Sequence, residues 1–127
     1  NLIGNAVNYT GEDKKIFVNL CKIDESTFRF SVTDTGEGID EDQIPLIWDR
    51  YYKVDRVHRR AMIGTGLGLS IAKGALELHG ANYGVNCRLG EGSEFWFEFP
   101  VDPAAPNKEM GKSILDDTIH YALLVTM

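Results

Sequence analysis

The sequence has few cations, few cysteines and no long apolar run. Its 127 residues carry 13 Lys and Arg against 19 Asp and Glu, so no domain-wide positive field exists to attract a nucleic-acid backbone. Cys21 and Cys87 lack metal-ligand spacing and argue against a disulfide framework, and we interpret both as small buried hydrophobes. No apolar run is long enough to cross a membrane, and no signal peptide is visible. These absences predict a cytoplasmic chain without direct nucleic-acid or membrane contact, any membrane anchor lying elsewhere in the parent protein.

The length and composition are those of one globular domain, with 43% hydrophobic and 25% charged residues. Apolar periodicity predicts three helices, over residues 1–9, 43–52 and 66–79, and two hairpins with strands over residues 15–23, 28–33, 83–89 and 93–100. A helical pattern is already under way at Asn1, and the chain does not begin with Met, so we expect an N-terminally truncated fragment.

The composition changes after Pro100, which predicts a domain over residues 1–101 and a linker with a C-terminal tail over residues 102–127. Residues 112–125 have the apolar spacing of a helix. Residues 123–125 are equally compatible with the end of a strand, so both alternatives stay open.

Three glycines on alternate positions, Gly64, Gly66 and Gly68, run directly into the strongest predicted helix. Glycine permits positive φ and close approach, and a helix start offers unpaired N–H groups that suit phosphate. For this motif alone, a flexible glycine turn before a core helix is an equally acceptable alternative. The further pairs Gly36/Gly38 and Gly90/Gly92 favour the phosphate-binding interpretation.

Two groups of polar residues are candidate ligand contacts. Asn1, Asn5 and Asn8 share one face of the first predicted helix, where a carboxamide oxygen would suit Mg²⁺. A solvated helix face is the more common reason for such a row. Asp34 follows a predicted strand and precedes two glycines, so its carboxylate could accept a hydrogen bond from an amine such as that of adenine. For an isolated Asp-x-Gly, an Asx turn is the ordinary alternative.

Five motifs, in this order, resemble those of the histidine kinase ATP-binding domain of the GHKL superfamily. They are residues 1–10 (N box), 34–39 (G1 box), 47–54 (F box), 64–73 (G2 box) and 90–95 (last glycine box). Each motif is weak alone, but the ordered set covers residues 1–101 and is specific. The resemblance implies a Bergerat-type fold, an α+β two-layer sandwich in which a mixed, mostly antiparallel sheet carries helices on one face.

The resemblance implies ATP and Mg²⁺ as cofactors, with Asn5 as the metal ligand and Asp34 as the reader of the adenine amine. Residues 54–65 would form a mobile lid, and Asn5, Arg50 and Lys53 would serve phosphoryl transfer. The implied nucleotide contacts also include Asn1, Asn8, Tyr9, Gly36, Gly38, Ile39, Tyr52, Lys53, Gly64, Thr65, Gly66, Leu67, Gly68, Leu69 and Ser93.

Two positions depart from the family pattern. Asn8 stands where the family commonly has a phosphate-holding Lys, so the charge must come from F-box or lid cations, namely Arg50, Lys53, Arg56, Arg59 and Arg60. Most of these have an ordinary explanation as a solvated basic loop. Lys53 stands where the family usually has Arg and loses bidentate geometry. We therefore expect weaker affinity or lid closure than usual.

The position of Asn1 bears on the reaction. ATP-hydrolysing relatives typically have there a Glu that activates water, whereas a carboxamide cannot take a proton near neutral pH. Transfer of the phosphoryl group to a protein nucleophile therefore fits better than hydrolysis. None of His58, His79 and His120 has the acidic neighbour usual for a phosphoacceptor.

These features predict the catalytic ATP-binding domain of a two-component sensor histidine kinase, which transfers the γ-phosphoryl group to a histidine on a separate dimerisation domain. The expected partners are that phosphoacceptor domain of the parent kinase and, downstream, a response regulator. An anti-sigma-factor-type serine kinase and a degenerate nucleotide-binding signalling module are the alternatives. Asn5 and Asp34 count against degeneracy, and Asn8 counts mildly for it.

The resemblance also bears on the tail, because family members usually have a strand before the first helix. Its absence would leave apolar surface and a sheet edge uncovered. We expect apolar tail residues to cover such a surface, in this chain or a neighbour's: Ile114, Leu115, Ile119, Leu123 and Val125.

Overall fold

The computed structural model describes residues 1–50 and 67–101 in full and residues 123–126 as backbone. The elements in chain order are α1 (Leu2–Tyr9), β1 (Lys15–Asp24), β2 (Thr27–Asp34), a 3₁₀ helix (Glu41–Gln43), α2 (Gly68–Leu78), β3 (Asn82–Arg88), β4 (Gly92–Pro100) and β5 (Leu123–Thr126). The first and third predicted helices and both hairpins are confirmed, with bounds that differ by at most two residues where they fall in the described part.

The five strands form one sheet in the order β3-β4-β2-β1-β5, and each described pair of neighbours is antiparallel. The register places Val32 of β2 opposite Val18 on one side and opposite Phe95 on the other. Because successive side chains alternate between the two faces, this register aligns the apolar positions of three strands on one face.

The core lies between that face and the two α-helices, which confirms the expected two-layer α+β architecture. Ile16 and Val32 are the largest fully buried side chains. Leu69 and Ala72 of α2 pack against a buried cluster that consists of Leu2, Ala6, Ile16, Val32, Ile47, Trp48 and Phe95. Burial of Leu2 and Ala6 fixes one stripe of α1 on the sheet and leaves the rest of the helix surface for other contacts.

The predicted helix over residues 43–52 is wrong in its described part. There the 3₁₀ helix Glu41–Gln43 leads into consecutive turns, in which the N–H groups of Leu46 and Asp49 donate to carbonyl oxygens three residues back, at 2.9 and 3.0 Å. Pro45 would stand in the first turn of that helix, where N–H groups have no partner within the helix, so the proline does not by itself prevent an α-helix. The turns carry the consecutive residues Ile47 and Trp48 into the buried core.

Strand β5 lies along the edge of β1, where Lys15 to Val18 are opposite Thr126 to Leu123 in antiparallel register. Of the two alternatives for residues 123–125, the structure therefore has the strand. Residues 102–122, with the rest of the predicted tail, lie outside the described residues. This pairing occupies backbone groups that an edge strand would otherwise present to other chains.

We predict that deleting residues 107–127 lowers the melting temperature or causes aggregation, because the deletion removes β5 from the edge of β1. Thermal unfolding and size-exclusion chromatography measure the two effects. Replacement of Leu123–Thr126 by Gly and Ser keeps the chain length and should reproduce the loss. A deletion variant that stays monomeric and equally stable would show that the strand contributes nothing.

Candidate functional site

The side chain of Asp34 is buried at the C-terminal end of the central strand β2, with 3% of its surface exposed. Its Oδ1 accepts a hydrogen bond from the N–H of Gly36 at 2.9 Å. Burial raises the pKa of Asp34 above its usual value, while hydrogen bonds from the N–H groups of Gly36 and Ser93 oppose that rise. Ser93 lies opposite Asp34 in the sheet and is buried as well. The Asx turn is thus present, and it holds the carboxyl group in place.

Two glycine-containing loops pack against each other beside this carboxyl group. Gly38 and Gly92 have φ values of 75° and 96°, in the left-handed region that favours glycine. A methyl group built on Gly38 would overlap the carbonyl oxygen of Arg88, and one built on Gly92 would overlap that of Asp34. The structure therefore brings together the first and last of the glycine pairs noted in the sequence.

The C-terminal end of α1 packs against the same loop. A methyl group built on Gly36 would overlap the carbonyl oxygen of Tyr9. Along α1, Asn5 is half-buried, whereas Asn8 and Tyr9 are exposed. The helix that carries the carboxamide row therefore ends at the loop that holds Asp34.

The start of α2 lies close to the start of the chain. Oδ1 of Asn1 is 4.0 Å from the position that a Cβ atom on Gly68 would take. Helix α2 begins after Leu67, whose side chain cannot accept a hydrogen bond from the first N–H groups of the helix. Leu69 packs against the core. The described part of the predicted phosphate-binding turn thus lies beside the carboxamide row, and Gly64, Thr65 and Gly66 lie outside the described residues.

The predicted basic residues are described only in part. Arg50 is exposed, and Tyr52, Lys53 and the lid over residues 54–65 lie outside the described residues, so their roles stay predictions. Ile39 packs against the core, and its carbonyl oxygen accepts a hydrogen bond from the Cys87 thiol at 3.2 Å.

Cys21 and Cys87 are free thiols, as expected, but both are half-buried rather than fully buried. Both lie near the edges of the described sheet. Cys21 is in the part of β1 beyond the residues that pair with β5, and Cys87 is in β3, the outermost strand on the other side. The interpretation of both as small buried hydrophobes is therefore confirmed only in part.

A hydrogen-bonded cluster beside the Asp34 loop joins Thr10 and Thr35, which lie in two of the sequence motifs, to Asp13 and Lys15, which lie in none. The Thr35 hydroxyl donates to the carboxyl group of Asp13, and the Thr10 hydroxyl donates to the carbonyl oxygen of Lys15 at 2.8 Å. The hydroxyl oxygens of Thr10 and Thr35 are 3.3 Å apart. The only feature of the sequence that could have predicted this cluster is a short polar run after α1, and such a run is equally typical of an ordinary turn.

The groups gathered at this site match the chemistry of a nucleotide with its metal. A carboxylate accepts from an amine, a helix start suits phosphate, and a carboxamide oxygen with phosphate oxygens suits Mg²⁺. Within residues 1–50, 67–101 and 123–126, no group of three or more His, Cys, Asp or Glu side chains is placed to hold a metal ion. None of the helices in these ranges has the length and apolar character needed to span a bilayer.

A buried carboxyl group, tightly packed glycine loops and an adjacent helix start define a nucleotide-binding α+β domain. The chain belongs to the family of histidine kinase-, DNA gyrase B- and HSP90-like ATPases, whose model matches residues 1–103. It therefore has the fold of histidine kinase ATP-binding domains and belongs to the same family.

Similar proteins include a sensor protein and a sensor histidine kinase. The sensor protein SrrB of Staphylococcus aureus is 40% identical over 100 residues, 79% of this chain and 17% of that protein. Full-length ShkA in complex with AMPPNP is 36% identical with a TM-score of 0.65, over 81% of this chain and 20% of that one. The mycobacterial sensor histidine kinase MprB is 27% identical with a TM-score of 0.66, over 76% and 64% of the two chains. This chain thus spans 17% of the length of the curated relatives that it matches.

We predict that Asp34→Ala changes how stability depends on pH. Because burial raises the pKa of Asp34, the folded protein binds more protons than the unfolded chain between the ordinary value of 3.8 and the raised value. Wild type should therefore lose free energy of unfolding, relative to Asp34→Ala, as the pH rises through that interval towards neutrality.

Urea unfolding of both proteins over this pH range measures the difference between their free energies of unfolding. The titration of groups that the two proteins share cancels in this difference. Asp40→Ala, which removes an exposed carboxyl group from the following loop, is the matched control. If the free energy of unfolding of wild type instead rises relative to that of Asp34→Ala as the pH increases, the surroundings of Asp34 stabilise its charge and the prediction is wrong.

Proposed function

We propose that this chain is the ATP-binding catalytic domain of a two-component sensor histidine kinase, which transfers the γ-phosphoryl group of ATP to a histidine on a separate dimerisation domain. The observation that carries the proposal is the buried carboxyl group of Asp34, held by backbone N–H groups beside glycine loops. The family and the sensor-kinase relatives support it. Residues 1–101 form the proposed domain, and residues 102–127 form a linker and tail.

Asp34 is proposed to read the adenine base. An ionised carboxylate accepts a hydrogen bond from the exocyclic amine, and such a bond is strong where water is excluded. Gly36 and Gly38 are proposed to pass close to the base. The space that a Cβ atom would take at each glycine is filled by the carbonyl oxygens of Tyr9 and Arg88, and this packing holds the loop beside the proposed base site. Ile39 would add an apolar contact, and Ser93 would support the carboxyl group through its backbone N–H.

The phosphate groups are proposed to lie at the start of α2, between that helix and α1. Asn5 is the proposed Mg²⁺ ligand, because a carboxamide oxygen suits a hard cation that also binds phosphate oxygens. Mg²⁺, when bound, neutralises the charge that develops on the β- and γ-oxygens. The remaining proposed contacts lie on α1 and on the turn into α2: Asn1, Asn8, Tyr9, Gly64, Thr65, Gly66, Leu67, Gly68 and Leu69.

Arg50 and Lys53 are proposed to supply positive charge near the γ-phosphate, since Asn8 carries none, and Tyr52 to contact the nucleotide beside them. Asn1 cannot act as a general base, so the chain would present the phosphoryl group rather than activate water. Positioning and charge neutralisation would then carry most of the rate enhancement.

The proposed partners are the dimerisation and phosphoacceptor domain of the parent kinase and a downstream response regulator. The relatives are sensor proteins of which this chain covers 17%, which leaves ample length for such a domain in a parent of that kind. We propose a cytoplasmic location for this part of the parent, without direct contact to nucleic acid or membrane.

We predict that the chain incubated with labelled ATP stays unlabelled and hydrolyses ATP slowly, yet phosphorylates a separate fragment that carries the dimerisation hairpin of the parent. The product should be acid-labile and alkali-stable, as a phosphoramidate is. Asn5→Ala should abolish transfer by removing a Mg²⁺ ligand. Asn82→Ala removes an exposed carboxamide at the end of β3 remote from Ser93, and it should transfer normally.

Three results would count against the proposal. An acid-stable phosphoserine product would move the assignment to an anti-sigma-factor-type serine kinase. Tight nucleotide binding without transfer would favour a signalling module that has lost catalysis. Fast ATP hydrolysis by the chain alone would contradict the role of Asn1.

A further inference from the structure

We propose that Asp13 is a positioning residue for nucleotide recognition, which acts through Thr35 on the neighbouring Asp34. This inference rests on the proposed function, in which Asp34 binds the adenine amine. Asp13 belongs to none of the sequence motifs of the site, because it lies in the loop between α1 and β1. Its side chain nevertheless reaches the segment that carries Asp34.

The contact forms part of a cluster that consists of Thr10, Asp13, Lys15 and Thr35. The Thr35 hydroxyl donates to Oδ1 of Asp13 and thereby joins residues that are 22 positions apart. The same oxygen accepts the N–H of Lys15 at 3.3 Å, which holds the carboxylate at the start of β1. Thr10, directly after α1, donates to the carbonyl oxygen of Lys15 at 2.8 Å. The end of α1, the loop and the end of β2 are therefore linked.

Close backbone packing surrounds this cluster. A methyl group built on Gly11 would overlap the carbonyl oxygen of Thr35, and one built on Gly36 would overlap that of Tyr9. The backbones on both sides of Thr35 are thus already in contact. A displacement of Thr35 must therefore be passed along the chain to Asp34 and Gly36, which hold the buried carboxyl group.

The direction of the side chains explains how a residue outside the site can act on it. Successive side chains in extended backbone point to opposite sides. The Asp34 carboxyl group is buried, whereas the Thr35 hydroxyl meets Asp13 in an exposed loop. The hydrogen bond from Thr35 lowers the pKa of Asp13 below its usual value, as expected for a carboxylate that accepts this bond. Asp13 therefore limits rotation of the segment without touching the ligand.

The test is calorimetric titration of the chain with ADP, well below the melting temperature, for four variants. Asp13→Ala and Thr35→Val should each raise the Kd about three- to tenfold, as expected for one lost hydrogen bond at an exposed position. The double variant should raise the Kd by less than the product of the two single effects, since both substitutions remove the hydrogen bond between Thr35 and Asp13. Asp13→Asn keeps a side-chain oxygen acceptor and should bind almost as wild type does.

Glu12→Ala, which removes a neighbouring exposed carboxylate, controls for charge alone and should leave the Kd unchanged. Melting temperatures of the same variants separate positioning from stability. A lowered melting temperature with an unchanged Kd, or additive effects in the double variant, would overturn this inference about Asp13 but not the proposed function. Absence of ADP binding by wild type would overturn the proposed function together with it.

Discussion

A carboxyl group buried at the end of a central strand is the constraint on which the rest of this site depends. Removal of a carboxylate from water is costly unless hydrogen bonds replace its hydration. Here the N–H groups of Gly36, in the loop after β2, and of Ser93, at the start of β4, replace part of that hydration, and the two segments must approach closely to do so. A side chain at Gly36, Gly38 or Gly92 would overlap neighbouring backbone and prevent that approach. Burial of the Asp34 carboxyl group therefore depends on glycine at these positions.

The sheet and α1 hold this arrangement in place. Strand β2 lies between β1 and β4, so the end that carries Asp34 is fixed from both sides. Leu2 and Ala6 attach one side of α1 to the core, which places Asn1 close to the start of α2 and leaves Asn5 half-buried. Helix α1 thereby contributes to both the core and the candidate site, so we expect a change in core packing to alter nucleotide affinity.

Much of this could be predicted from the sequence because it depends on local periodicity and on ordered motifs. Alternation over residues 28–33 predicts β2, and its continuation puts Asp34 on the core face. The helix predicted over residues 43–52 is wrong in its described part because local turns, closed by hydrogen bonds three residues back, outweigh an apparent apolar period. The bond between Asp13 and Thr35 could not be predicted, since it joins two segments that each look like an ordinary turn.

Titration calorimetry of the chain with ATP and with GTP tests most directly whether Asp34 selects adenine. Adenine presents an amine where guanine presents a carbonyl oxygen, which the carboxylate would repel. We predict clearly tighter binding of ATP than of GTP. We also predict that Asp34→Ala loses about 1.5–3 kcal/mol of ATP binding free energy, the size of a charge-assisted hydrogen bond. Equal affinity for the two nucleotides, or unchanged ATP binding by Asp34→Ala, would contradict the assignment.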